Sequence, residues 1–388
     1  MNDALLTRLK AHISPLIPRI REFRRDLHSE PEIGLMEYKT HKKIRKALAE
    51  TSLSFWEPLL GTDVIAELKG KSSRTVCLRA DIDALPVEEK TGLPYASRIQ
   101  GMMHACGHDG HTAILTGAAL ALNALKEELP VSVRFIFQPG EEKICAGRTL
   151  VERGACDDTE AAYALHAWPG LPVGTVSCRK GPIFAAGAGY KIEFLGKGGH
   201  GAMPEAARNP IPAVARAVDQ LLALHRKVNP MDHSVVTPCV MHAGTLANII
   251  PESAVLEGTF RYLSTERGDQ LEETIRGIAA SVAQAEGISH AVAIHRIYAI
   301  PVVNTDLGAA FVKELAETCL PKGGFLEADK ASMGSEDFAY YLTNDRQGAY
   351  FRLGMGENAA SVHNPLFDFN DEALETGILM FCLIALNS

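Results

Sequence analysis

Val131-Ser132-Val133-Arg134-Phe135-Ile136-Phe137-Gln138-Pro139-Gly140-Glu141-Glu142 is a hydrophobic strand-like run that ends, after a Pro-Gly turn, on two adjacent carboxylates. Immediately upstream, Thr112 to Leu129 is rich in Ala and Leu and predicts an apolar helix. Before that helix stands His104-Ala105-Cys106-Gly107-His108-Asp109-Gly110-His111, a thiol, three imidazoles and a carboxylate in one short run. Further back, Asp63 to Gly70 and Arg74 to Asp83 predict strands, the second ending on Asp81-Ile82-Asp83. Downstream, the run Ala161 to Leu165 leads into His166. Alternating strands and helices predict an α/β fold with a mixed, mostly parallel sheet. Polar groups at the carboxyl ends of three buried strands sit where open α/β sheets place their sites.

Imidazole, thiolate and carboxylate form the ligand set of a first-row transition metal such as zinc. A carboxylate beside such ligands is what a hydrolase needs as general base. The cluster precedes a helix, and a helix N-terminus lowers a thiol pKa and favours thiolate. Taken singly, these residues have other readings. His166 also suits a strand cap against a backbone carbonyl. Asp81 and Asp83 alternate on a strand end, so one faces the site directly and the other is a structural acceptor. His104, Asp109 and His111 belong with the groups that support ligands.

The chain has 388 residues, which favours two domains over one core. It is 46% hydrophobic and 22% charged, the profile of a globular protein. A net charge of -8 leaves no electrostatic footprint for nucleic acid or an anionic membrane. The longest apolar run, Gly377 to Leu386, is too short to span a bilayer. Met1-Asn2-Asp3-Ala4 lacks the pattern of a signal peptide. The 8 cysteines are scattered and form no CxxC pair, which predicts free thiols and a cytoplasmic location.

Ser14-Pro15 predicts a helix start, with Pro31 beyond its end, and Met36 to Glu50 a second helix. The pattern changes near residue 187. Tyr190 to Leu195, Val235 to Met241, Ala254 to Leu263 and Ala291 to Ile300 predict strands. Helices are expected at Ile211 to Lys227 and Glu266 to Glu286. The order strand, helix, strand, strand, helix, strand is the ferredoxin-like split βαβ arrangement. An inserted α+β domain is therefore expected at 185–298, within a first domain made of 1–184 and 299–388. Helices at Asp306 to Cys319 and Asp371 to Leu386 complete the first domain.

Seven motifs in one order carry a family resemblance. They are Arg79 to Pro86, Met103 to His111, Gln138 to Glu142, Gly198-Gly199-His200-Gly201-Ala202-Met203-Pro204, Asn248-Ile249-Ile250-Pro251, Met333-Gly334-Ser335-Glu336-Asp337-Phe338 and His363-Asn364-Pro365. Together they resemble the dimetal amidohydrolases that include hippurate hydrolase and indole-acetyl-amino-acid hydrolase, in the aminoacylase and glutamate carboxypeptidase superfamily. The resemblance implies a zinc-peptidase-like catalytic domain, an inserted dimerisation (lid) domain and a homodimer. It implies two divalent ions per subunit, Zn2+ or Mn2+, held by Cys106, His108, Glu142, His166 and His363. Glu141 matches the general base, and Asp83 an acidic residue that orients a ligand imidazole. His200 matches a residue that reaches the partner subunit's active site, and Asn248 its companion. Arg261, which follows Gly258-Thr259-Phe260, suits a substrate carboxylate or a strand surface equally.

The implied reaction is metal-dependent hydrolysis of an N-acyl amino acid, a small-molecule substrate, with neither nucleic acid nor membrane as partner. An N-acetyl-diaminopimelate-type deacetylase and a small-peptide carboxypeptidase are the enzyme alternatives. A non-catalytic metal- or peptide-binding descendant is the other class, opposed by the retained Glu141. A dinucleotide oxidoreductase is disfavoured because no G-x-G-x-x-G follows the first strands. Two departures stand out. Glu142-Lys143-Ile144-Cys145-Ala146-Gly147-Arg148 replaces a Gly-rich loop with bulkier residues and two cations beside the base. Related branches carry a His where this chain has Asp81, and Cys106 would supply the missing ligand, since a thiolate can bridge two metals.

Overall fold

The structure is a computed structural model that describes residues 3–224 and 234–388. The chain divides into two compact units. Met1–Gly181, Val303–Asp329 and Asp337–Ser388 form the first, and Pro182–Val302 with Lys330–Glu336 the second. Lys330–Glu336 is a correction to the expected boundaries, which left it with the first domain. It joins the second unit because Ala185 N donates to Ser332 O and Gly334 O, and Ser332 N to Ile183 O.

Among the described residues, the first unit carries an eight-stranded mixed sheet. Its strand order is 54–55, 64–68, 132–138, 75–81, 161–168, 347–354, 176–178 and 325–327. The middle four strands are mutually parallel. Every residue of Thr75–Asp81 and Ser132–Gln138 is buried, as expected of parallel strands covered on both faces. Gln347–Gly354 is a central strand that the apolar-run reading passed over. Glycine at its second position is required, because a Cβ on Gly348 would lie 1.9 Å from Ala162 O.

Helices His108–Ala124 and Leu374–Asn387 pack against each other beside this sheet. Their contact is close because glycines face branched side chains both ways. A Cβ on Gly117 would meet Ile378 at 2.5 Å, and one on Gly377 would meet Ile114 at 2.4 Å. The helix expected from Thr112 begins at His108 instead. Gly107, at φ 88°, turns the chain in the left-handed region and starts the helix inside the Cys/His cluster. A further helix, Asp3–Ile13, precedes the helix Ile17–Ser29.

The second unit carries a four-stranded antiparallel sheet in the order 234–243, 253–262, 186–195 and 289–298. Numbered along the chain this is 2-3-1-4, the split βαβ order. Helices Ile211–Ala223 and Thr265–Glu286 pack on it, and residues 225–227 of the expected first helix lie outside the described residues. The second helix has a defined start and stop. Ser264 accepts from Arg267 N at 3.2 Å, and Gly287 closes the other end in the left-handed region. Leu271, Ile275, Ala279 and Val282 lie on its buried face. No described helix is long and apolar enough to cross a membrane.

Candidate active site

Four adjacent parallel strands deliver their carboxyl ends to one edge of the first unit's sheet. Asp81 ends one of them, and Glu141 and Glu142 follow another across the Pro139-Gly140 turn. His166 lies near the end of a third, and His363 follows the fourth. The Gly107 turn presents Cys106 just before the 108–124 helix and His108 as its first residue. His363 itself has φ 64°, and its N–H donates to Ala105 O at 2.7 Å. A non-glycine residue in that region is strained, a condition often found where a side chain must be aimed.

The structure brings Cys106, His108, Glu142, His166 and His363 together beside Glu141. Ligand atoms of Cys106, His108 and His166 lie within 4.8 Å of one another, as do those of Cys106, Glu142 and His363. His108, Glu141 and Glu142 form a third such group. Cys106 Sγ is 3.3 Å from His166 Nε2, and His363 Nε2 is 3.2 Å from Glu142 Oε1. The second nitrogen of each buried imidazole is held. His166 Nδ1 donates to Ala167 O at 2.7 Å, and His108 Nδ1 lies 3.2 Å from Asp83 Oδ1. That leaves both Nε2 atoms turned toward the cluster. Asp83 Oδ2 also accepts the Glu142 backbone N–H at 3.1 Å, so one carboxylate sets an imidazole and the neighbouring carboxylate's backbone.

These donors suit a cation. Among the described residues, His108 Nε2 is buried without a hydrogen bond, and Glu142 Oε1 is buried with the His363 ion pair beside it but no hydrogen bond of good geometry. Convergent buried atoms that do not satisfy each other are what a metal ion completes. Electrostatics agree. Burial alone would lower His108, but Asp81, Asp83 and Glu142 outweigh it and push the imidazole up to about 10. The cluster thus holds positive charge strongly. Burial, then His111, pushes His166 down to about 3 and keeps the imidazole neutral. Cys106 goes against the helix-terminus expectation. Burial, then Glu142 and Glu141, push the thiol well above its ordinary value. The nearby carboxylates and the loss of water outweigh the helix dipole, so a cation is what would make it thiolate.

His111 and Asp81 do other work. His111 Nδ1 donates to Asp81 Oδ1 at 2.6 Å, and His111 Nε2 accepts from Ala167 N at 2.8 Å, so both ring nitrogens are engaged. Asp81 also receives Arg79 Nη1 at 2.7 Å. Asp109 accepts from His28 Nδ1 at 2.8 Å and from Arg24 at 3.2 Å, deep in the core. His104 is buried and makes no side-chain hydrogen bond among the described residues. Of the two cations that follow Glu141-Glu142, Arg148 donates to Glu152 at 2.8 Å.

The second unit presents a different group. His200 pairs with Ile249 in a two-stranded ribbon, and Gly201 N donates to Asn248 O at 2.8 Å. His200 and Asn248 are therefore neighbours, and both are exposed. Arg261 lies apart on the 253–262 strand, half-buried, donating to Thr259 Oγ1 and to Phe260 O. Two residues that sequence reasoning passed over support the first unit's site. Glu37 and Asp337 are both fully buried and accept backbone N–H groups on either side of Glu141-Glu142. Asp337 lay in a quoted motif, but its pairing with Arg79 at 2.9 Å joins distant parts of the chain.

The chain belongs to the Peptidase family M20/M25/M40, which it matches over residues 77–387. It is a metal-dependent amidohydrolase. It is 37% identical over 372 residues to N-acetylcysteine deacetylase of Bacillus subtilis (strain 168), covering 95% of this chain and 96% of that protein. It is 34% identical over 370 residues to IAA-amino acid hydrolase ILR1-like 4 of Arabidopsis thaliana, covering 93% and 84% respectively. A crystal structure described as a dinuclear metal binding peptidase from the M20 family, from Bacillus subtilis, superposes with a TM-score of 0.84. That protein is 34% identical, with 96% of this chain and 98% of the other covered.

Proposed function

We propose that this protein hydrolyses the amide bond of N-acyl amino acids, with two divalent ions, Zn2+ or Mn2+, held by Cys106, His108, Glu142, His166 and His363. The supporting observation is the convergence of these donors beside Glu141, with Cys106 common to two of the groups. The deacetylase and the IAA-amino acid hydrolase named above both take their names from acylated amino acids. Such ions, when bound, polarise an amide carbonyl and acidify water. Glu141 takes the proton of the attacking water and passes it to the leaving nitrogen. Asp83 keeps His108 in the tautomer that leaves Nε2 bare. His200 donates to the oxyanion, Asn248 assists it, and Arg261 meets the substrate carboxylate. A homodimer would supply His200 from the partner subunit.

The test is release of free amino acid from a panel of N-acetyl and N-benzoyl amino acids. Metal-stripped protein is assayed with zinc, manganese or no addition. Metal-dependent release supports the proposal, and the best substrate names the acyl group. Release only from N-acetyl-diaminopimelate, or only of C-terminal residues from peptides, would move the assignment to those substrates. No release by folded, metal-loaded protein would overturn it.

A further inference from the structure

The segment that carries Glu141 and Glu142 is poorly held by its own conformation. Glu141–Ile144 is a single helical turn bounded by left-handed residues, Gly140 at φ 60° and Cys145 at φ 54°. The second is a non-glycine residue in a region that costs energy to occupy. Besides the hydrogen bond from Ala146 N to Gly140 O at 3.3 Å, the 140–147 stretch is held from outside. Three buried carboxylates accept three of the backbone N–H groups of that stretch. Glu37 Oε1 takes Gly140 N at 3.0 Å, Asp83 Oδ2 takes Glu142 N at 3.1 Å, and Asp337 Oδ2 takes Gly147 N at 2.8 Å. Asp83 also holds His108, and Asp337 is paired with Arg79, so both are tied into other networks.

Glu37 is not tied in this way. It is fully buried at the start of the helix Tyr38–Ala47, and its other oxygen receives Thr62 Oγ1 at 2.9 Å. The segment before it runs against the same turn. A Cβ on Gly34 would lie 2.9 Å from Gly140 Cα and 3.7 Å from Asp83 Oδ2. The 34–37 segment therefore fixes Gly140 in two ways, by a hydrogen bond and by contact. We propose that Glu37 is a positioning residue, which holds the Gly140 turn so that Glu142 is placed as a ligand and Glu141 as a base. The part concerning Glu141 rests on the hydrolase reading above. A buried Gly140 N–H without an acceptor would seek another conformation, and both carboxylates would move with it.

The test compares Glu37→Gln with Glu37→Ala. Glutamine keeps an oxygen for Gly140 and turns its amide to Thr62; alanine keeps neither. Cobalt(II) is titrated into metal-stripped protein and followed by visible absorbance, and turnover is measured on the best N-acyl amino acid. Supporting outcomes are a cobalt affinity reduced about 10–100-fold in the alanine variant, with kcat reduced as far and KM held within about 3-fold. The glutamine variant should stay within about 3-fold of wild type on every measure. Wild-type affinity and kcat in a folded alanine variant would overturn the proposal, as would a glutamine variant as impaired as the alanine one. If the alanine variant fails to fold, Gly34→Ala takes its place, since it presses on Gly140 with Glu37 intact. The same losses are expected there, and a folded, unimpaired Gly34→Ala overturns the proposal. If wild type hydrolyses nothing in the panel, the function reading fails in wild type and the cobalt titration alone decides the role of Glu37.

Discussion

The two units hold their candidate residues in opposite ways. In the first, Cys106, His108 and His166 are buried, and the ring nitrogen of each imidazole that faces away from the cluster is engaged. In the second, His200 and Asn248 stand exposed on a ribbon of two-residue strands, with Ala202 N donating to His200 Nδ1 at 3.1 Å. Burial imposes one geometry because an unsatisfied atom there is costly. Exposure leaves water as an acceptable partner, so the second group can shift without penalty. Donors that must match an ion's coordination belong mostly to the first kind of place, with the exposed His363 as the exception, and a group that would meet a substrate belongs to the second.

The comparison breaks most visibly at Glu141. Glu141→Ala should keep its metal, by elemental analysis, and lose about 10^2–10^4-fold in kcat. A variant that turns over near the wild-type rate would remove Glu141 as the base. Next comes His200→Ala, expected to lose about 10^2–10^3-fold in kcat if it is an oxyanion donor. Because His200 is exposed, metal content and melting temperature should not change. Mixing Glu141→Ala chains with His200→Ala chains sharpens the point. Recovered activity would show that one subunit completes the other's site, and no recovery would keep His200 within its own chain.

Asp83→Asn should cost about 10–100-fold in metal affinity, because His108 loses its orienting carboxylate. Isothermal titration of the metal-stripped variant measures this, and an unchanged affinity would show that the helix alone places the ring. The smallest effect is on stability. Burial, then Asp83, pushes Glu37 up to about 7 from the ordinary 4.5. A carboxyl raised on folding favours the folded state below its unfolded value, and that contribution is lost as pH rises through the folded value. Glu37→Gln has no such titration. In urea melts of metal-free protein, its stability relative to wild type should rise by at most about 1.4 kcal/mol per pH unit between pH 5 and 7, then level off. A difference that stays flat across that range would show Glu37 to titrate as in water.

Much of this was legible in the sequence because the signals were local. The run ahead of Glu141 and the cluster ahead of Thr112 name strand ends and a helix start within a few residues. The helix Asp306–Cys319 coincides with its expected span, since Thr305 caps it by accepting from Gly308 N at 3.0 Å. What escaped depends on distance. Gln347–Gly354 carries Arg352 and Gly348 and looks unlike a central strand, yet its neighbours bury nearly all of it. Glu37 has no pattern of its own, because its meaning comes from a turn about a hundred positions further on. The thiol of Cys106 departs from the helix-terminus expectation for a related reason. The helix beside it is visible in the sequence, but the carboxylates that oppose the dipole arrive from other strands.

The strand order has a consequence for synthesis. The 347–354 strand lies between 161–168 and 176–178, and His363 follows it. A nascent chain emerging from the ribosome can pair 75–81 with 132–138 and 161–168 early. It has no neighbour for the far side of 161–168 until residues near the end of the chain appear. The helix 108–124 likewise waits for Leu374–Asn387 to fill the notch at Gly117. The candidate metal centre is therefore completed last, and a stalled or truncated chain displays an open sheet edge and a candidate ligand set that lacks His363. Such chains are the ones that chaperones must shield and that proteases can recognise as unfinished.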